Sequence, residues 1–214
     1  MEEIDLMGIV VGKDVPDEIH EATYNIVTEL GAHQLMINHV LIWDESALEK
    51  DMREKIQDGN IERFIEIEAH MLNNVVLPGL FKSLFVSAYN LFEDALNKIC
   101  YAYESYSGET LSYKDLYGNG VARSVSYFEK VIGLEIKHKN QWARIQKWNQ
   151  VRNSVVHKNG RLEGQQINAA KMLGIEIMQD HYENILFMQK SNLNNFIFDS
   201  EKFLEIVIKS FVKE

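Results

Sequence analysis

Apolar residues recur every three or four positions along most of this chain, the spacing of helices that bury one face. Over 17–43, Ile19, Ala22, Ile26, Leu30, His33, Ile37 and Leu41 fall near one face, so a long helix is expected to end around Trp43. Asp44-Glu45-Ser46 then offers a turn and a new N-cap, followed by a short charged surface helix from Ser46 to Gln57. Asp58-Gly59-Asn60 reads as a turn, and a further helix is expected from Ile61 toward Val76. Residues 1–17, interrupted by Gly8, Gly12 and Pro16, read as an arm.

Pro78 cannot donate a backbone hydrogen bond, so it either starts a helix or kinks a continuous one. A boundary there divides the chain into an N-terminal helical extension, 1–77, and a second domain, 78–214. The second domain opens on the widest apolar stripe: Phe81, Leu84, Phe85, Ala88, Leu91, Phe92, Ala95, Leu96 and Ile99 define the principal core helix, closed at Ser107-Gly108. Val121, Val125, Phe128 and Ile132 form the core side of a shorter helix that ends at Gly133 and leaves Arg123 and Lys130 exposed. Leu162 to Ala170 reads as a polar connection. The apolar runs 175–177, 185–188 and 196–198 are short and bounded by Asn, Asp and Gly, and suit small strands of a β-hairpin near 175–198. Asp199-Ser200 then caps a final helix that turns Phe203, Leu204, Val207, Ile208 and Phe211 inward. The expected fold is therefore mostly α, a helical bundle with a small β-hairpin.

Gln141 to Arg161, QWARIQKWNQVRNSVVHKNGR, carries residues that its own periodicity does not explain. Trp142, Ile145, Trp148, Val151, Val155 and Val156 make the apolar side of an amphipathic helix that stops at Asn159-Gly160, and Gln146, Lys147, Gln150, Ser154 and Lys158 lie opposite. At roughly 100° per residue, Arg152 falls inside the apolar arc, between Trp148 and Val156. A guanidinium there requires carboxylate, phosphate or carbonyl partners, because desolvating it alone costs several kcal/mol. Asn153 and His157 lie one turn apart beside it. His157 also occupies the last turn, where a helix C-terminus favours positive charge. Charge neutralisation, orientation and proton transfer are the three requirements of phosphoryl chemistry. A polar line on the core helix, Asn90, Glu93 and Asn97, is either a solvated face or a source of a partner for Arg152, with Glu93 the candidate.

Charge and composition narrow the class. The net charge of −10 argues against a general nucleic-acid binder, yet it is unevenly spread: residues 1–80 carry net −12, whereas 121–161 carry net +7. That asymmetry suits a basic site with an acidic appendage, or simply long helices with solvated charge. A single cysteine, Cys100, permits no intramolecular disulfide, the start MEEIDLMG lacks a signal-peptide pattern, and no apolar run approaches the ~20 residues of a membrane span, so a cytoplasmic protein is expected. No His or Cys pair has zinc-ligand spacing and no Gly-x-Ser-x-Gly elbow occurs. Gly118-Asn119-Gly120 lacks the Lys and further Gly of a phosphate loop and reads as a lead into a helix. No metal or other cofactor is expected.

Arg152-Asn153, followed after three residues by His157, resembles the motif of the HEPN family (higher eukaryotes and prokaryotes nucleotide-binding domain): an Arg, a polar residue after it, and a His within a few positions. The Trp-containing lead-in and the His-Lys-Asn-Gly-Arg exit are similar to its bacterial ribonuclease members. The resemblance covers about 78–214. It implies an up-and-down helical bundle and a metal-independent endoribonuclease, usually a homodimer whose two motifs share one cleft, and commonly a toxin or antiviral-defence effector. Arg152, Asn153 and His157 would be catalytic, Glu93 supporting, and Lys147, Lys158 and Arg161 would bind RNA. An antitoxin or regulatory protein would be a further partner. In some relatives the residue two after the His is a Tyr that a partner enzyme modifies; here it is Asn159, which leaves the acidic N-terminal helices as the alternative means of shielding the site. The competing reading is a non-catalytic HEPN-fold interaction module in which Arg152 is structural and sealed by Glu93.

Overall fold

The computed structural model describes residues 4–55, 70–137, 139–180 and 182–212, with the side chains of 39–55 excepted. The chain is mostly helical, with a small three-stranded sheet between its fifth and seventh helices.

The first residues are not an arm. Leu6–Val10 forms α1, capped by Asp5, whose carboxylate accepts the Gly8 N–H at 2.8 Å. Leu6 and Val10 are buried, so two apolar residues one turn apart suffice to dock the segment against α2 and the last helix. Helix α2 runs without a break from Asp17 to Lys55, so the turn expected at Asp44-Glu45-Ser46 does not form. Those residues contain neither Gly nor Pro, and the Ala, Leu, Glu, Lys, Met and Arg that follow are strong helix formers, so nothing stops propagation. Ile19, Ile26, His33 and Ile37 are buried on the face the periodicity selects, and α2 packs along α3. The turn at 58–60 and most of the helix expected from Ile61 fall outside the described residues.

Helix α3, Leu77–Ser107, is entered through a π turn at Leu72–Val76, where the Leu77 N–H reaches the Leu72 carbonyl. The helix therefore passes through Pro78, whose missing N–H is accommodated next to the wider turn rather than by a fresh start. Phe81, Leu84, Phe85, Ala88, Phe92, Ala95, Leu96 and Ile99 are buried as expected, together with Tyr89 and Cys100. Gly108, at φ +65°, ends α3 in the left-handed conformation. Leu72–Ser107 is, among the described residues, the one helix long and apolar enough to cross a membrane by length and composition, contrary to the expectation of no such run; in the bundle its stripe is the core.

A 3-10 turn at Tyr113–Asp115 leads to α4, Gly120–Tyr127, which continues as a π turn to Ile132 and closes at Gly133. Helix α5, Asn140–Lys158, carries the motif and ends through left-handed Asn159 and Gly160. Its burial departs from the simple arc: Ser154 is fully buried and Val156 is 44% exposed. Helix α5 is packed by α3, α6, α7 and β1, so its inward direction turns along its length. The small Ser154 is admitted there because its hydroxyl donates to the Val151 carbonyl at 2.7 Å.

The expected polar connection contains β1, Arg161–Leu162, and α6, Gln165–Met172, with Ala169 and Ala170 buried. Strands β2, Glu176–Asp180, and β3, Glu183–Phe187, make the antiparallel hairpin in the register Glu176↔Phe187 to Asp180↔Glu183, and β1 joins on the other side of β3. Phe196-Ile197-Phe198 is not a strand. It lies in α7, Lys190–Lys209, whose N-cap Gln189 lies ten residues before the expected cap Asp199. Gln189 and Asn192 cap that helix, with the Gln189 N–H donating to Asn192 Oδ1 at 2.9 Å. Phe196 joins an aromatic core, its ring centroid 5.1 Å from Phe85, 5.7 Å from Tyr89 and 5.5 Å from Trp148.

Candidate active site

Helix α5 lies against α3, and this contact positions Arg152. The guanidinium sits half-buried, 5.7 Å from the centroid of the Tyr89 ring, a cation–π arrangement. Its Nη1 donates to Asn153 Oδ1 at 3.3 Å, so the two adjacent motif residues are brought together. Its Nε is buried with no acceptor among the described residues. Among the described residues no carboxylate lies within ion-pair distance of Arg152. The candidate pair between Glu93 and Arg152 does not form.

Glu93 is engaged elsewhere. Its carboxylate lies against Gly120, where a Cβ would fall 2.9 Å from Oε2. Gly120, at φ +56°, is the first residue of α4, so the acid occupies a helix start, where negative charge is favoured. Gly120, the last residue of the Gly-Asn-Gly sequence, thus lies against a protein carboxylate. Arg123 belongs to the same loop: its Nε donates to the Gly118 carbonyl at 2.8 Å and its Nη2 to Asn119 Oδ1 at 3.2 Å, so it is not the free surface cation expected of it. The polar line on α3 divides. Asn90 is exposed, whereas Asn97 Oδ1 accepts the hydroxyls of Tyr113 and, at 3.1 Å, Ser124. Tyr89 stands between the opposite charges of Glu93 and Arg152. Burial pushes its phenol well above the ordinary range; Glu93 adds to this and Arg152 opposes it.

His157 is exposed on the last turn of α5, and among the described residues it makes no hydrogen bond to Arg152 or Asn153. It remains one turn from Asn153 on the helix surface. The three expected RNA-binding cations are less available than their sequence positions imply. Lys158 pairs with Glu163 at 2.7 Å and Arg161 with Glu183 at 2.6 Å, while Lys147 Nζ donates to the Ala143 carbonyl at 3.2 Å. The Lys158 hydrogen bond and charge hold the Glu163 carboxyl below its usual value. These exposed pairs are weak and would yield to a phosphate. Asn159 takes φ +52° as the helix cap, a conformation that Asn tolerates better than most residues.

One group of charged residues is missed by the sequence reading. Asp199, 8% exposed in the middle of α7, receives Arg144 Nε and Nη2, each at 2.7 Å, and the Trp148 indole N–H at 2.7 Å. Its signal was an acid spaced three from Phe196 and four from Phe203 on an apolar stripe. The group ties α5 to α7 and holds the motif helix in place. No cluster of three or more His, Cys, Asp or Glu with metal-holding geometry occurs among the described residues. Comparison with known protein families, curated proteins and solved structures finds no match to this chain.

Proposed function

We propose that this chain is a HEPN-type, metal-independent endoribonuclease whose catalytic group is Arg152, Asn153 and His157, with Glu93 in a supporting role. The observation that carries this reading is the state of Arg152: a half-buried guanidinium, oriented by Tyr89 and Asn153, with a buried Nε that meets no acceptor among the described residues. Buried charges are ordinarily paired, and an unpaired one in a structural role would be costly. A phosphodiester supplies the missing anion.

In the reaction the ribose 2′-oxygen attacks the adjacent phosphorus, the P–O5′ bond breaks, and the products are a 2′,3′-cyclic phosphate and a 5′-hydroxyl. One imidazole accepts the 2′-hydroxyl proton and another protonates the leaving 5′-oxygen. His157 of each protomer in a homodimer would supply them. Arg152 stabilises the charge on the pentacoordinate phosphorus, and Asn153 holds the guanidinium. Lys147, Lys158 and Arg161 contact the flanking backbone after exchanging their present partners for phosphates. Glu93 acts through its seat at α4 rather than by touching Arg152. The setting is a cytoplasmic toxin or antiviral-defence effector, held in check by an antitoxin or regulatory protein.

The test is incubation of purified protein with end-labelled single-stranded RNA and tRNA in EDTA, beside His157→Ala. Cleavage by the unmodified protein alone, leaving 2′,3′-cyclic phosphate ends, is the expected result; no cleavage from a folded dimer would overturn it. A second reading, a non-catalytic interaction module of the same fold, is favoured by the ion pairs that neutralise Lys158 and Arg161. It predicts such a dimer without RNA affinity.

A further inference from the structure

A groove of about 660 Å³ lies where the start of α3, the last turn of α5 and the hairpin meet. This is within the range of small-molecule sites, roughly 300–1,000 Å³. Val86, Val155, Ile185, Leu186 and Phe187 form its apolar walls, Asn74, Ser83 and Asn159 add polar side chains, and Lys82 brings the one charged side chain among the described residues. Neither Arg152 nor His157 lines it, so it is separate from the candidate active site.

Lys82 is unusual in what surrounds it. It is half-buried, and among the described residues it makes no hydrogen bond and no ion pair. Its amino group is tucked against Gly160, where a Cβ would come within 3.1 Å of Nζ and 3.5 Å of Leu186 Cβ. The absence of a side chain at Gly160 therefore keeps the amino group's place open. Burial alone lowers the Lys82 pKa, as expected of an ammonium that has lost water and gained no counter-ion. Lys158 and Lys209 pair with Glu163 and Glu205, whereas among the described residues no Asp or Glu lines this groove.

We propose that the groove binds an amphipathic monoanion: a ligand with a single carboxylate that pairs with Lys82 and an aliphatic body that lies along the valine, isoleucine and leucine walls. Charge complementarity selects the head group. One ammonium neutralises one carboxylate, whereas a phosphate dianion would leave a negative charge uncompensated beside apolar walls. The walls select the body. Among the described residues they contain one aromatic residue, Phe187, and no second cation, so they offer a nucleotide neither a pair of stacking faces nor a phosphate clamp. Val75, Val156 and Met178, 61%, 44% and 41% exposed, extend the apolar surface at the groove.

Calorimetric titration of the full chain with sodium octanoate tests this, with 1-octanol as the uncharged body and inorganic phosphate as the bare anion. One octanoate per chain is expected. Replacing octanoate by 1-octanol, or Lys82 by Met, should weaken binding at least about tenfold, equivalent to about 1.4 kcal/mol. Lys82→Arg should retain binding, and phosphate should not displace octanoate. No octanoate binding, equal binding of 1-octanol, or displacement by phosphate would each overturn the proposal. The ligand comparison needs no variant, so it decides even if Lys82→Met fails to fold. RNA cleavage is not a readout, so the result is independent of the proposed nuclease.

Discussion

The Arg152 guanidinium lies 5.7 Å from the centre of the Tyr89 ring, and Glu93, one turn beyond Tyr89 on the same helix, turns its carboxylate to Gly120 instead of to the arginine. An arginine held by a ring face and a neighbouring amide contributes little to folding, since a partly exposed cation–π contact is worth about 0.5–1 kcal/mol. Arg152→Ala is therefore expected to cost no more than about 1 kcal/mol in denaturant unfolding while removing RNA cleavage. A loss of roughly 3–5 kcal/mol, the signature of a broken buried ion pair, would return Arg152 to a structural role.

Asp199 predicts the opposite balance. Its removal leaves the buried Trp148 indole N–H without an acceptor and Arg144 without its two-pronged partner. The Arg144 side chain is 44% exposed and water would take over part of its bonding, so the expected cost of Asp199→Ala is about 2–3 kcal/mol rather than the full figure for a sealed pair. Urea unfolding monitored by tryptophan fluorescence measures it.

His33 sets a pH dependence. It is 7% exposed on α2, its Nε2 has no partner, and burial lowers its pKa below the ordinary 6.5, opposed by a backbone hydrogen bond with Leu84. The unfolded chain then takes up a proton at a higher pH than the folded one. The contribution to stability is full above about pH 6.5 and declines as pH falls through that value toward the lower folded-state pKa. Melting temperatures recorded from pH 7.5 to 5 should fall on acidification, and His33→Gln should flatten that part of the profile.

Gly120→Ala separates backbone strain from side-chain crowding. The nearest obstacle to a Cβ is the far end of Glu93, which can move, but φ +56° remains unfavourable for alanine. A loss of about 1 kcal/mol is expected by thermal or denaturant unfolding. Adding Glu93→Ala should relieve the crowding without restoring full stability.

The chain's periodicity alone determined three of the long helices and most of their inward faces: the stripe from Phe81 to Ile99, the α2 residues Ile19, Ile26, His33 and Ile37, and the Gly-terminated motif helix, but not α1, α6 or the start of α7. These features depend on neighbours within a few residues, which the order of amino acids specifies directly. The hairpin was legible for the same reason, but its third strand was not, because two residues, Arg161 and Leu162, carry no period. Phe196-Ile197-Phe198 was ambiguous in isolation, and packing against Phe85, Tyr89 and Trp148 decided that it is helix. At the candidate site, the sequence determined that a misplaced arginine adjoins an asparagine. Only tertiary structure decided which acid meets which base: Asp199 goes to Arg144 and Trp148 across α5 and α7, while Glu93 goes to Gly120 and leaves Arg152 without a carboxylate. Electrostatic partners 50 or more residues apart are chosen by distances of a few ångströms, and those distances exist only after the helices have packed.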